Sequence, residues 1–147
     1  MNAIDRLLAK DACISLMTAY CTHLDERNED QFLDLFTADA HFARLAPPTY
    51  EASGHEGIRR LLAARPASLL SRHMMLNHEV VIDTAVTAHA KALGIVVRGD
   101  RDRTDWPMPI RGLELLVQYQ LEFRCEAGQW KICRCGVLRL MDIEARA

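Results

Sequence analysis

The sequence predicts an α+β fold in which helices lie on one face of a curved antiparallel sheet and enclose an apolar pocket. Helical spacing of apolar residues dominates as far as Arg65. From Ser71 onward the chain reads as four long stretches of strand-like alternation, joined by tight turns except at one place.

The first helix is marked by Ile4, Leu7, Leu8, Ile14, Met17, Cys21 and Leu24. These recur at three- and four-residue steps and set a span of about 3–24. Asn28 followed by Gln31 has the spacing of a capping box and starts a short second helix, with Phe32, Leu35 and Phe36 turned inward. "DAHFARL" is a short strand that ends before Pro47-Pro48. Ser53 and Glu56 repeat the capping-box spacing ahead of a third helix in "GHEGIRRLLAA", which Arg65-Pro66 ends.

The four strands are "SRHMMLNHEVVID", "TAHAKALGIVVRG", "GLELLVQYQLEFRC" and "QWKICRCGVLRLMD". "TAV" and "EAG" connect them tightly. "DRDRTDWPMPIR", rich in charge and carrying Trp106 and two prolines, reads as an exposed loop or lid. A chain of 147 residues with no internal repeat or linker is expected to form one domain spanning 1–147.

Composition excludes several classes of partner. A net charge of -2 with no polybasic tract gives no electrostatic basis for nucleic acid or an anionic membrane. No window approaches the roughly 18 apolar residues that a membrane span requires. The N-terminal apolar pattern is broken by Asp5, Arg6, Lys10 and Asp11, unlike a signal peptide. Five cysteines, an odd count without a CxxC pair, fit reduced thiols in the cytoplasm; Cys133 and Cys135 would share a strand face. There is no HxH, HExxH or Cys-His cluster, no phosphate loop and no nucleophile elbow, so neither a metal nor a cofactor is expected.

"SRHMMLNHEV" raises a chemical question, because alternation places His73, Met75 and Asn77 on one inward face. Histidine is the side chain whose ordinary pKa lies near neutrality, so an inward imidazole is a candidate for proton transfer. Leu16, Phe36, Met75, Trp106, Leu115 and Val117, with Tyr119, are expected to line the pocket. Such walls suit a small, hydrophobic, cyclic molecule. Asn77 reads as a structural anchor and His78, on the opposite face, as superficial. His23, His41 and His55 lie near element ends and read as surface or capping groups.

"YCTHLDERNEDQFLDLFTADAHF" near the start, with "RHMMLN" opening the strand after the third helix, resembles the SnoaL-like branch of the nuclear transport factor 2-like superfamily. That group includes scytalone dehydratase, bile acid 7α-dehydratase, lindane dehydrochlorinase and the β subunits of aromatic-ring-hydroxylating dioxygenases. The resemblance runs from about Ile4 to Leu140 and implies a cystatin-like α+β barrel, or cone. In the lyase members an aspartate ending the first helix pairs with a histidine opening the third strand, and Asp25 and His73 hold those places. Tyr20 holds the place of a tyrosine used by the bile acid dehydratase. His89 and Tyr119 are the candidates for a further histidine and tyrosine.

What the resemblance implies is a cofactor-independent lyase or isomerase. A carboxylate on one ring nitrogen fixes the tautomer and stabilises the imidazolium, leaving the other nitrogen to attack a C–H bond. His73 would take the proton, Asp25 would orient it, and Tyr20 would polarise or protonate a departing oxygen. The similarity to dioxygenase β subunits implies instead a non-catalytic partner of an iron-bearing subunit, and a small-molecule binding protein is a further alternative. Members commonly form dimers or trimers through the open sheet face. The alternation of Leu113, Leu115, Val117 and Tyr119, with Leu116 opposite, leads to the expectation of a homo-oligomer.

Overall fold

The computed structural model describes residues 1–108 and 115–142. Elements follow in the order α1 (Ala3–Glu26), α2 (Glu29–Asp34), β1 (Phe36–Arg44), β2 (Tyr50–Ser53), α3 (Gly54–Ala63), β3 (Leu69–Ile82), β4 (Thr87–Asp100), β5 (Leu115–Glu126) and β6 (Gln129–Asp142). The expected start of the third long strand, including Leu113, lies outside the described residues.

α1 begins in a reciprocal capping box. The Asn2 side chain accepts from the Asp5 amide at 2.8 Å, and the Asp5 carboxylate accepts from the Asn2 amide at 3.0 Å. Its buried stripe is Ala9, Cys13, Met17, Tyr20, Cys21 and Asp25. Ile4, Leu7 and Leu8 were expected to face the core, yet each is more than 60% exposed, at 67%, 68% and 64%. The sheet ends beneath them: Arg6 bonds the carbonyl of Ile82, the last residue of β3, at 2.9 Å, so the first turns overhang its edge. At α2 and α3 the predicted N-caps, Asn28 and Ser53, stand where expected, but neither side chain makes a capping bond.

The strands form one curved, open sheet in the order β2-β1-β6-β5-β4-β3. An antiparallel sheet was expected, but β1 pairs parallel to β6. The chain runs through β2 at one edge and α3 before entering β3 at the other edge. β2 was not anticipated; it pairs with β1 from His41↔Ser53 to Arg44↔Tyr50.

Register defines the inward rows. Ile82, Ala88, Phe123 and Ile132 lie side by side, as do Val80, Ala90, Leu121 and Cys135. Nearer the other end come Met75, Gly94 and Val117, then His73, Val96 and Leu115. β4 presents only Ala88, Ala90, Ala92 and Gly94 along most of this face, which leaves room for α1 and the aromatic rings. A Cβ at Gly94 would stand 2.8 Å from Val117 Cγ2 and closer still to the Tyr119 ring.

A bulge interrupts β3. Leu76 pairs with Leu93 and Glu79 with Lys91, so Asn77 and His78 together oppose Ala92. Asn77 takes up the irregularity with φ 54°, in the left-handed region. It is exposed and does not share the inward face of His73, against expectation. The bulge inverts the alternation beyond it. His78, expected to be superficial, is half-buried, and its Nε2 is buried without a partner among the described residues. A second register shift, between Glu122 and Phe123, likewise breaks the shared face expected of Cys133 and Cys135: Cys135 is buried and Cys133 half-buried. All five thiols are free.

Candidate active site

The helix-strand junction at the C-terminal end of α1 collects the candidate site. α1 stays regular through Glu26 and stops at Arg27, which caps it in the left-handed conformation with its amide bonded to the His23 carbonyl. Helix ends leave backbone carbonyls unsatisfied and carry partial negative charge. Arginines from other elements fill that need here. Arg65 Nη1 donates to Leu24 O at 2.6 Å, and Arg101 Nη2 donates to Asp25 O at 2.8 Å. Arg27 itself reaches across to Leu69 O at 3.2 Å and to Pro66 O. These guanidinium groups are therefore occupied as clamps on the backbone.

Asp25 is 5% exposed and points at the start of β3. Its Oδ2 accepts from the His73 amide at 2.6 Å, and its Oδ1 lies 2.5 Å from His73 Nδ1. Ser71 Oγ donates to the same Oδ1 at 2.9 Å. An ionised carboxylate only accepts, so Nδ1 carries the proton and the neutral ring keeps its lone pair on Nε2. Burial alone would push the Asp25 carboxyl up, but the hydrogen bonds and charge of His73, with the Ser71 hydroxyl, hold it below its ordinary value. Asp25 is thus a buried, ionised group whose charge is matched by donors.

Tyr20 sits deeper in the same helix stripe. Its ring packs on Phe32, Phe36 and Tyr119 with centroids 4.9, 6.2 and 5.8 Å away. Burial pushes both phenols well above their ordinary value, helped at Tyr20 by Cys135 and Tyr119 and at Tyr119 by Cys21, Cys135 and Asp25. Both are neutral donors at physiological pH. The Tyr20 hydroxyl lies against the Cys135 thiol and, among the described residues, makes no hydrogen bond to His73 or Asp25. α1 remains helical past Asp25 and carries both residues on one broad buried stripe.

The residues expected to line a pocket are placed as follows. Phe36, Val117 and Tyr119 are fully buried and pack with Tyr20 as core. Leu16, Met75 and Leu115 are half-buried against that core; Leu16 lies nine residues before Asp25 on α1, while Met75 and Leu115 lie in the rows at and beside His73, whose side chain keeps 13% of its surface. Trp106 is 73% exposed and, among the described residues, packs on none of the core named above, while Arg101 ties the start of its loop to Asp25 O. His89 faces the outer side and bonds Asp83 at 2.9 Å, so it is no second histidine of this site. A groove of about 300 Å³ lies on that outer face between His89, Lys91, Gln120, Glu122 and Arg134, away from the Asp25–His73 pair. Among the described residues no group of three or more His, Cys, Asp or Glu could hold a metal ion.

Ser71 and Arg65 were missed from the sequence as site residues. Ser71 was detectable: it stands two residues before His73 and shares its strand face. Arg65 had no local signal, since it reaches the site from the end of α3.

Fold and site together define a small α+β protein of cystatin-like fold, in which a helix-end carboxylate grips a strand-borne histidine. The chain belongs to the SnoaL-like domain family, which matches residues 5–136. It is similar to a Novosphingobium aromaticivorans structure provisionally named scytalone dehydratase, at 22% identity and TM-score 0.79 over 99% of this chain and 95% of that one. A second structure from the same organism, provisionally named an aromatic ring hydroxylase, is 27% identical with TM-score 0.74, covering 96% and 92%. LinA matches at 15% identity and TM-score 0.76, covering 99% and 97%. No match was found among curated proteins. No helix among the described residues is long and apolar enough to cross a membrane.

Proposed function

We propose that this protein is a cofactor-independent lyase, a dehydratase or a related β-elimination or isomerisation enzyme, acting on a small hydrophobic cyclic molecule. The observation that carries the reading is the 2.5 Å contact of Asp25 Oδ1 with His73 Nδ1, which leaves Nε2 as the basic nitrogen. His73 takes a proton from a carbon adjacent to the leaving group, and the C–H electron pair becomes the new double bond. The C–O bond breaks, and the imidazolium returns its proton to the departing oxygen as water leaves. Asp25 stabilises the imidazolium meanwhile. Tyr20, a neutral phenol with its hydroxyl against the Cys135 thiol, packs behind the pair and supports it through the aromatic cluster. The relative provisionally named scytalone dehydratase points the same way.

The test is turnover on a panel of cyclic alcohols and ketones. H73A and D25N should each lose about 10²–10⁴ in rate while keeping the far-UV spectrum of the parent. Full activity in both variants defeats the mechanism. Y20F isolates the hydroxyl from the ring and should lower the rate less, with the aromatic cluster intact.

The 27% identical relative named for ring hydroxylation favours a second reading, a non-catalytic partner of a larger iron-bearing subunit. Co-purification with an iron–sulfur protein decides for it. Under either reading we expect a homo-oligomer, a dimer or trimer. Leu115, Val117 and Tyr119 face inward, so the outer apolar surface is carried instead by Met74, Ile95, Leu116 and Met141 in one row and Leu76, Leu93 and Leu138 beside it. Light scattering coupled to size exclusion measures the order.

A further inference from the structure

We propose that Ser71 and Arg65 are positioning residues that act together to aim and hold the Asp25 carboxylate against His73. The inference deepens the lyase reading and rests on it for its catalytic meaning.

The polarity of the contacts is set by chemistry. A guanidinium only donates, so the 2.6 Å contact from Arg65 Nη2 uses a lone pair of Ser71 Oγ. The serine has one proton to give, and with the arginine on its other side that proton points to Asp25 Oδ1 at 2.9 Å. Oδ1 therefore has its second acceptor site filled by Ser71 while the first faces His73 Nδ1. Oδ2 is fixed by the His73 amide. With both oxygens engaged, the carboxylate cannot rotate without breaking a bond. Arg65 is itself anchored on Leu24 O at 2.6 Å, one residue before Asp25. It thus spans the helix end and the strand, and sets their relative height.

Burial makes the chain of contacts consequential. Ser71 is 2% exposed, so its hydroxyl has no water to exchange with, and the charge of Arg65 reaches Asp25 through little solvent. An ordinary packing serine needs no arginine behind it. A hydroxyl flanked by a guanidinium and a carboxylate is held in one rotamer and one proton position.

The readout requires no substrate. In ¹³C- and ¹⁵N-labelled protein, the Asp25 carboxyl carbon and the His73 ring nitrogens are followed against pH. Ser71→Ala should move the Asp25 midpoint up by about one unit, since one donor to the charged form is gone. It should also mix the single Nδ1–H tautomer of His73 with the Nε2–H form. Ser71→Thr should restore both signals. Arg65→Met should mix the tautomer as well, and it carries the test if Ser71→Ala does not fold. Folded Ser71→Ala or Arg65→Met with an unchanged midpoint and a single tautomer overturns the inference. Once a substrate is known, kcat should fall about tenfold in Ser71→Ala with KM unchanged, and Thr should rescue it. Turnover that survives H73A overturns the lyase reading, whereas the nuclear resonance signals report on positioning whatever the turnover shows.

Discussion

Asp25 holds His73 by two of its atoms at once: the backbone amide at 2.6 Å and ring Nδ1 at 2.5 Å. One carboxylate thereby fixes both where β3 begins against α1 and which way the imidazole faces. The same contact serves stability and any chemistry at Nε2, so the two must be separated by experiment.

Removing the carboxylate leaves the Ser71 hydroxyl and the His73 amide without their acceptor inside the protein. Asp25→Ala should destabilise the fold by about 1–3 kcal/mol for each buried donor left without a partner. Asp25→Asn, which keeps an acceptor oxygen, should cost less. Urea titration followed by tryptophan fluorescence measures both, and equal, small losses would show the pair to be energetically idle.

Acid sensitivity follows from the same group. The Asp25 carboxyl titrates below its ordinary value in the folded protein, whereas in the unfolded chain it titrates at about 3.9. The unfolded state therefore binds the proton more readily as pH falls. The stability from Asp25 is fully present above about pH 4 and is lost as pH drops through the lower folded value. Urea midpoints from pH 5.5 downward should fall more steeply in the parent than in Asp25→Asn. Parallel curves would remove Asp25 from the account.

Gly94 predicts a steric result. Alanine there meets Val117 Cγ2 and the Tyr119 ring, so Gly94→Ala should cost about 1–3 kcal/mol by overpacking. Truncating the ring in Gly94→Ala/Tyr119→Leu should recover part of that cost, a coupling that thermal melts of the double-mutant cycle can read.

Asn77 tests the bulge. At φ 54° a β-branched side chain is strained by roughly 1–2 kcal/mol, while glycine is not. Asn77→Val should lower the melting temperature and Asn77→Gly should leave it close to the parent. Deleting Asn77 should leave His78 alone opposite Ala92, so that Val80 and Ile82 keep their pairing and their place in the core.

Local periodicity in the sequence determined the helix-then-strand order, the breaks at Pro47-Pro48 and Arg65-Pro66, and the long strands from Ser71 onward. It also put His73 on the inward face of β3, and the family resemblance paired it with Asp25. Those features depend on residues a few positions apart, where the spacing of apolar side chains is itself the cause of the structure. The rest depended on how distant segments meet. The parallel pairing of β1 with β6, the bulge that turns His78 inward, and the exposure of Ile4, Leu7 and Leu8 beyond the sheet edge are set by inter-strand register and by where β3 ends. So is the burial of Tyr20 among Phe32, Phe36 and Tyr119, which makes core of residues expected to be pocket wall. Arg65 shows the reason most plainly. Its partners, Leu24 and Ser71, lie 41 and 6 positions away, and no local pattern could report that one guanidinium would join them beside a carboxylate.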